Sequence, residues 1–307
     1  MAATSGARLS SWSREEVRSF FTGLAFISPW LIGFIGFTLY PLTSSLYFSL
    51  TRYNLIQAPV WIGLDNYIFM ATKDPRFYTV ISNTLYYVVF SVPISIAFAF
   101  MIANLLNTKV MGRSIFRGII YIPSIVPAIC SAMVWLLMLN IQYGAINGML
   151  QAIHLPAIPF LSNPDLSKPT LVMIAAWGSG GVVVVFMAAL QDVPKSLYEA
   201  AIVDGANAWQ RFINVTLPMC SPVILFNMII GLIGAFQEFT MPMLLTGGGP
   251  AASTEFYSLH LYRMAFSNLR MGYASALAWV QFIVIILFTI LMFRTSRGWV
   301  YYGGGDK

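Results

Sequence analysis

The sequence is short of charged residues, of cysteine and of histidine. Only 9% of its 307 residues are Asp, Glu, Lys or Arg, against about 25% in a soluble domain. A chain of this composition cannot present an ordinary water-facing surface, which excludes a soluble globular protein. The two cysteines and two histidines have no spacing typical of a metal or redox site. We expect Cys130 and Cys220 to be small core residues rather than a disulfide.

The net charge of +6 does not indicate a nucleic-acid partner. The basic residues number one to three per polar loop and do not gather on one face. The sequence also has no nucleotide-binding loop, no metal-spaced cluster of His, Cys or acids, and no nucleophile with a nearby base. We therefore expect no catalytic residues, no metal and no bound cofactor in this chain.

Hydrophobic residues are abundant, at 58% of the chain. They form six apolar segments, each long enough to cross a bilayer, which takes about 20 residues. The segments are 20–48, 81–106, 115–139, 171–190, 222–245 and 272–293. The sequence therefore predicts an all-α membrane protein with six transmembrane helices. Residues 1–19 and 294–307 are expected to flank a membrane domain at 20–293, with the first segment retained as an anchor.

Lysine and arginine predict the orientation of the helices. Of the 17 basic residues, eleven lie on the side of the N-terminus and six on the other side. The first group is Arg8, Arg14, Arg18, Lys109, Arg113, Arg117, Lys195, Arg211, Arg294, Arg297 and Lys307. The second group is Arg52, Lys73, Arg76, Lys168, Arg263 and Arg270. This bias predicts that both termini are cytoplasmic.

A polar stretch separates the fourth and fifth apolar segments. Asp192 and Pro194 predict a helix start, because Asp can accept bonds from the first N–H groups and Pro has no N–H to lose. The helix is expected to end near Asp204, where Gly205 can adopt the left-handed conformation. Small side chains leave its backbone open to another protein, and Glu199 can form charge-assisted bonds across such a contact.

A second short helix is predicted directly downstream. Asn207 and Gln210, three residues apart, are typical of a capping pair. We expect this helix to run through Val215 and to end at Leu217-Pro218, because the residue before a proline avoids the helical region. Helices of two or three turns are marginal alone in water. The pair is therefore either an ordinary connector or a docking surface.

These residues closely resemble the EAA signature of bacterial ABC importer permeases. A second hallmark is the Leu-Thr-Gly-Gly-Gly-Pro run at 245–250, which lacks the Lys-Ser/Thr pair of a phosphate-binding loop. The resemblance extends from about Phe20 to Tyr302 and favours the carbohydrate branch, with the maltose and glycerol-phosphate permeases. It implies a type I ABC importer fold whose cytoplasmic loop at 191–221 couples to an ATPase subunit. The implied coupling residues are Glu199, Ala200, Ala201, Asp204, Gly205, Ala206, Phe212, Leu217 and Pro218.

The resemblance also implies a multi-subunit complex in the cytoplasmic membrane. A sister permease would complete the pore in membrane lipid, and two ATP-binding subunits would hold ATP and Mg and carry out hydrolysis. An external solute-binding protein would deliver a sugar. This chain itself is then a permease subunit and not an enzyme.

Trp177-Gly178-Ser179 lies near the midpoint of the fourth apolar segment. The small residues fit either close helix packing or a thinned wall along a solute path. A sugar suits the second interpretation, because its apolar ring face can stack on indole while its hydroxyls form hydrogen bonds. In the maltose-type permeases the same segment lines the sugar site, so the resemblance implies a substrate path here.

The stretch Phe236-Gln237-Glu238-Phe239 belongs to the fifth apolar segment. Glu238 is the one acid in the apolar body of the chain, and such a carboxylate normally faces a cavity or a partner. It either lines the solute path or reaches external water. In the maltose-type permeases the corresponding stretch carries amides that bind sugar.

Other transport mechanisms remain open at this point. An ion-coupled secondary transporter would use Glu238 as its carrier, and an intramembrane enzyme would need a second acid or a nucleophile. Glycerol phosphate or another polyol-like solute is the alternative cargo. A phosphate would require Arg or Lys in the path, and we find none in the predicted helices, which favours a neutral sugar or oligosaccharide.

Two further expectations concern packing. Pro123 and Pro127 predict a bend in the third helix, which we expect to pack inside the bundle because neighbouring groups must satisfy the freed carbonyls. His260 and Arg263, in the external segment before the sixth helix, are expected to lie at the membrane interface.

Overall fold

The computed structural model describes residues 14–108 and 111–301. Arg8, Lys109 and Lys307, which entered the orientation prediction, and Tyr302, where the resemblance ends, lie outside the described residues. The described chain is mostly helical. Its one small sheet pairs β1 (Thr51–Arg52) with β2 (Val60–Trp61) in antiparallel register.

The helices follow the apolar segments, with short helices in the loops between them. They are α1 (Arg14–Phe34), α2 (Tyr40–Ser49), α3 (Asp65–Thr72), α4 (Phe77–Asn107), α5 (Arg113–Ile125), α6 (Ala128–Met138), α7 (Ala145–Ala152), α8 (Pro164–Trp177), α9 (Gly180–Asp192), α10 (Lys195–Val203), α11 (Ala208–Arg211), α12 (Leu217–Phe236), α13 (Thr240–Leu245), α14 (Tyr257–Tyr262) and α15 (Met271–Ser296). Five-residue π-helical turns join α1 to α2, join α11 to α12, and follow α14.

Six segments of the described chain are candidates to cross a membrane by length and composition. Four are continuous: Val17–Ser49, Phe77–Asn107, Ala208–Phe236 and Met271–Ser296. The other two are bent pairs, α5 with α6 at 103° and α8 with α9 at 47°. If each bent pair counts as one span, the described chain has six candidate spans, which confirms the predicted number.

The largest hydrophobic cluster lies where α4, α9 and α12 pack together. Ala99, Phe186 and Cys220 are fully buried in it, and Ile285 of α15 also contributes. The first span differs from the others, because none of its most apolar stretch is buried within this chain. The core is thus built by the later spans, and α1 stands outside it.

The third span departs from the expectation of a packed, bent helix. Its break falls at Val126, which is extended (φ −67°, ψ 130°) because it precedes Pro127. No residue of α5 is buried, so the expected packing inside the bundle is wrong for this half of the span. Cys130, in α6, is exposed and is not the predicted core residue, whereas Cys220 is buried; both thiols are free.

Candidate functional site

The polar loop between α9 and α12 begins with helix α10. Pro194 is its N-cap residue, as predicted. Asp192 does not start it, however, and is the last residue of α9. Val193 separates the two helices with an extended backbone (φ −67°, ψ 123°), because it precedes a proline.

Gly205 ends α10 in the predicted way. Its φ is +79°, a value that costs glycine little and other residues more. The amide of Gly205 donates to the carbonyl of Ile202 at 3.0 Å, and the amide of Ala206 donates to that of Ala201 at 2.9 Å. This pair of bonds is the Schellman arrangement, so the turn after Asp204 is well defined.

Asn207 and Gln210 form the predicted capping box. The Gln210 amide donates to Asn207 Oδ1 at 2.9 Å, and the Asn207 amide donates to Gln210 Oε1 at 2.8 Å. The helix does not end at Leu217-Pro218, which corrects the prediction. Leu217 is helical (φ −65°, ψ −46°), and Pro218 falls in the first turn of α12. The π-helical turn Phe212–Thr216 lets the chain pass into α12 without an N–H from Pro218.

The loop is exposed yet firmly attached to α12. No residue of α10 is buried, and Val203 and Trp209 are 88% and 68% exposed. The hydroxyl groups of Tyr198 and Thr216 lie 2.9 Å apart, and the Trp209 ring stacks on Phe212 with centroids 5.5 Å apart. The loop therefore offers apolar surface on a rigid base.

The acidic side chains of this loop form no ion pair with any described residue. Glu199 and Asp204 are exposed, and neither takes part in an ion pair among the described residues. They remain available for charge-assisted bonds to another protein.

Trp177 lies at the bend between α8 and α9. Its ring meets the edge of Trp135 with centroids 5.2 Å apart. With Tyr86 and Phe90, it lines a cavity of about 450 Å³. A Cβ atom on Gly180 would lie 2.2 Å from the carbonyl oxygen of Ile120. Gly180 thus allows close packing of α5 on α9, whereas a Cβ atom on Gly178 would meet only carbonyl groups of α8 and the Ser179 hydroxyl donates to the Ala176 carbonyl.

The second predicted path stretch lies in a helix break, not within one helix at 222–245. Helix α12 ends at Phe236, and α13 begins at Thr240. Glu238 is half-buried, and its Oε1 accepts a bond from the Met241 amide at 3.0 Å, which supports the first turn of α13. Gln237 is exposed, and the Phe239 ring packs on Tyr262 at 4.8 Å.

One apolar cluster joins the two predicted path stretches. Ala132, Leu171 and Leu245, from α6, α8 and α13, are buried in it. Ala175, two residues before Trp177, packs against this cluster. Ala235, three residues before Glu238, does the same. The three broken helices therefore share one contact region.

Basic residues do lie in helices, contrary to the prediction. Lys168 stands in α8, where its Nζ donates to Asn83 Oδ1 at 3.1 Å and lies 5.1 Å from the centre of the Tyr86 ring. Arg113 and Arg117 stand in the first two turns of α5. The expected absence of Lys and Arg from the helices therefore no longer argues against a phosphate solute.

An ionic group with two buried carboxylates and a buried histidine lies near the opposite end of the molecule from α10, and the sequence did not predict it. We call it the Glu255 cluster; its members are Asp74, Arg76, Glu255, His260 and Arg263. Arg76 and Arg263 both pair with Glu255, the latter at 2.9 Å. His260 Nε2 lies 2.9 Å from Asp74 Oδ2, and its Nδ1 lies 3.5 Å from Glu255 Oε1.

His260 is therefore buried within the chain and not interfacial, which corrects the prediction, whereas the Arg263 side chain is 34% exposed. The His260 side chain is 1% exposed, and Arg263 also donates to the carbonyl of Gly247. This bond fixes the glycine-rich run at 245–250 to the cluster. No local pattern signals the pairing, because Asp74 and His260 are 186 residues apart.

The contacts within the Glu255 cluster favour its charged forms. Burial raises the pKa of Glu255, but the nearby His260 ring and the bonds from Arg76 and Arg263 outweigh it and bring the pKa to about 2. Burial likewise raises the pKa of Asp74, and bonds from Tyr273, the Arg76 amide and His260 lower it below its usual value. Burial lowers the pKa of His260, but the two carboxylates raise it overall. Within the described residues, no group of His, Cys, Asp and Glu is arranged to hold a metal ion.

Known proteins resemble this chain over nearly its whole length. The probable ABC transporter permease protein YesP of Bacillus subtilis is 39% identical over 98% of this chain and 99% of its own length. The trehalose/maltose transport system permease protein MalF of Thermococcus litoralis is 30% identical over 93% and 97%.

Similarity to a solved structure supports the fold. A chain of the bacterial alginate ABC transporter, in complex with an alginate pentasaccharide-bound periplasmic protein, gives a TM-score of 0.81 at 23% identity. The match covers 92% of this chain and 96% of that one. Residues 95–299 match the family described as binding-protein-dependent transport system inner membrane component. With its apolar spans and permease fold, this chain belongs to that family.

Proposed function

We propose that this chain is a permease subunit of an ATP-driven ABC importer and carries a sugar or oligosaccharide across the cytoplasmic membrane. The carbohydrate cargo of the trehalose/maltose relative supports the choice of solute. The observation that carries the mechanism is the unbroken helical path from the exposed loop into the membrane. Ala208–Phe236 spans 29 residues, or about 40 Å at 1.5 Å each.

In this proposal the loop docks in a cleft of an ATPase subunit. Glu199 and Asp204 bind across that contact, and Val203 and Trp209 bury their exposed surfaces. Because Tyr198 and Phe212 fix the loop to the start of α12, a movement of the ATPase displaces α12 as a rigid lever. The far end of the lever is the break at Gln237–Phe239. ATP-driven closure would thus turn the pore outward to receive the sugar, and hydrolysis would reset it.

The proposed complex contains a sister permease, two ATP-binding subunits and an external solute-binding protein. The exposed apolar stretch of the first span supports the sister permease, because none of its most apolar window is buried by the described residues of this chain. The periplasmic protein bound to the alginate transporter supports the fourth component. ATP and Mg are assigned to the ATP-binding subunits, because this sequence has no nucleotide-binding motif.

The docking loop is tested with Gly205→Pro in the reconstituted four-component complex. Proline requires a φ near −65°, whereas Gly205 has +79°, and it removes the amide that bonds to Ile202. We expect weaker association of the ATPase subunits and loss of sugar-stimulated ATP hydrolysis and uptake. The matched control is Gly63→Pro, which changes a half-buried glycine that is also in the left-handed conformation (φ +61°). Normal assembly and uptake in Gly205→Pro would rule out the docking role.

The solute path is tested with Glu238→Gln. Glutamine keeps the oxygen that accepts the Met241 amide, so the start of α13 is preserved while the charge is removed. We expect altered relative uptake rates across a panel of neutral oligosaccharides and glycerol phosphate. Glu238→Ala, which removes both charge and acceptor, shows the effect of losing the helix cap. If Glu238→Gln takes up every solute at the wild-type rate, Glu238 supports α13 only.

A further inference from the structure

Two arginines of α5 have buried nitrogen atoms without a partner. Arg113 and Arg117 are four residues apart and so lie on one face of the helix. The Nε atoms of both are buried and make no hydrogen bond to any described residue. Among the described residues, the Arg113 side chain donates only to Asn107 Oδ1, at 3.4 Å. No described carboxylate lies within ion-pair distance of either arginine. A buried charged donor left unpaired is costly, so an anion would fit here.

A small cavity adjoins Arg117 between α4, α5 and α9. Its volume is about 250 Å³. Most of its wall is apolar, with Gln191 and Tyr121 as the polar members beside the arginine. The apolar lining residues are Leu106, Ile120, Val183, Val184, Met187 and Ala188. A site with cations at one end and hydrocarbon walls suits an amphiphilic anion.

We infer that Arg113 and Arg117 bind the phosphate group of an anionic phospholipid, with the adjoining part of the lipid in this cavity. The planar guanidinium group can donate two parallel bonds to phosphate oxygens. The N-terminal end of α5 adds a partial positive charge on the same side. Basic pockets between transmembrane helices are suited to lipid head groups. A free phosphate ion would match the arginines but not the apolar wall. Placing this lipid site in the inner leaflet depends on the proposed orientation of the chain. The lipid site itself does not depend on that orientation.

The test measures lipid retention by native mass spectrometry. The purified permease complex is stripped of lipid in detergent and incubated in separate arms with phosphatidylglycerol, phosphatidylcholine or inorganic phosphate. We expect the wild type to retain phosphatidylglycerol preferentially. A variant with Arg113→Gln and Arg117→Gln is expected to bind it about tenfold more weakly, since charge-assisted bonds to phosphate are lost. The control Arg294→Gln changes an exposed arginine of α15 and is expected to retain the lipid.

Several results would overturn the inference. They are equal retention by the double variant, equal retention of phosphatidylcholine by the wild type, or tight binding of inorganic phosphate alone. Loss of the sister permease from the double variant with unchanged lipid retention would assign the arginines to a protein contact. If the double variant does not assemble, Arg117→Lys keeps the charge without the fork, and we expect it to bind with intermediate strength; wild-type retention would contradict the bidentate contact. The measurement needs neither ATP nor sugar, so its outcome is independent of the proposed transport function.

Discussion

At the residue scale, His260 is held by carboxylates from two distant parts of the chain. Its Nε2 contacts Asp74 and its Nδ1 faces Glu255, while Tyr273 donates to the same Asp74 oxygen. Removal of one partner from a buried charged pair leaves the other uncompensated, which costs about 3–5 kcal/mol. We therefore expect His260→Gln to lower the thermal stability of the folded chain.

The pKa shift of His260 also predicts how stability changes with pH. Because its folded pKa is raised above 6.5, the contribution of the charged ring is fully present below that pH. This contribution is lost as pH rises toward the raised folded value, with a slope of at most about 1.4 kcal/mol per pH unit. Asp74 and Glu255, whose pKa values are lowered, stay ionised throughout this window. Thermal unfolding followed between about pH 6 and 9 checks the slope.

The only other histidine provides the control for this experiment. His154 is exposed and has a φ of +63°, which asparagine tolerates. We expect His154→Asn to keep the wild-type pH slope and His260→Gln to flatten it. A His260→Gln variant that keeps the slope would assign the titration to another group.

At the scale of helices, the contact of α5 with α9 depends on a missing side chain. A methyl group on Gly180 would lie 2.2 Å from the Ile120 carbonyl oxygen, whereas one on Gly181 would find its nearest atom at 3.9 Å. We expect Gly180→Ala to destabilise the protein by about 1–3 kcal/mol through overpacking. Gly181→Ala is expected to stay within about 0.5 kcal/mol of the wild type. Thermal unfolding of the two variants in detergent measures the difference, and equal values would contradict the close contact.

Local sequence signals predicted the parts of the fold that local physics decides. The six apolar segments, the left-handed turn at Gly205 and the Asn207–Gln210 capping box each depend on residues within a few positions of one another. These features were confirmed because bilayer length, glycine freedom and helix capping act over short separations.

The errors arose where several local outcomes were compatible with the same residues. A proline such as Pro218 can end a helix or occupy the first turn of one. Here it occupies the first turn of α12, because the preceding residues form a π-helical turn. After the break at Phe236, α13 packs on α6 rather than continuing α12, and no apolar pattern reports this contact. His260 was placed at an interface because its partners lie far away in sequence. The assignment of Glu199, Trp177 and Glu238 to coupling and path remains a prediction.

At the scale of the whole molecule, the orientation in the membrane is open to direct test. In a variant with Cys130→Ser and Cys220→Ala, single cysteines are introduced at exposed positions by Gln57→Cys or Ser196→Cys. A membrane-impermeant maleimide is then applied to right-side-out vesicles. We expect Gln57→Cys to react at once and Ser196→Cys to react only after permeabilisation. The reverse result would place the α10 loop away from the ATPase side.

The Glu255 cluster also has a consequence for the time course of folding. Asp74 is synthesised 186 residues before His260 and 199 before Tyr273. At about 5–20 residues per second, the ribosome takes on the order of 10–40 s to deliver these partners. During that interval α4 is already synthesised, but the Asp74 carboxylate just before it has no His260 with which to pair. The cluster therefore closes among the last events of biogenesis, and a chain truncated before α14 cannot form it.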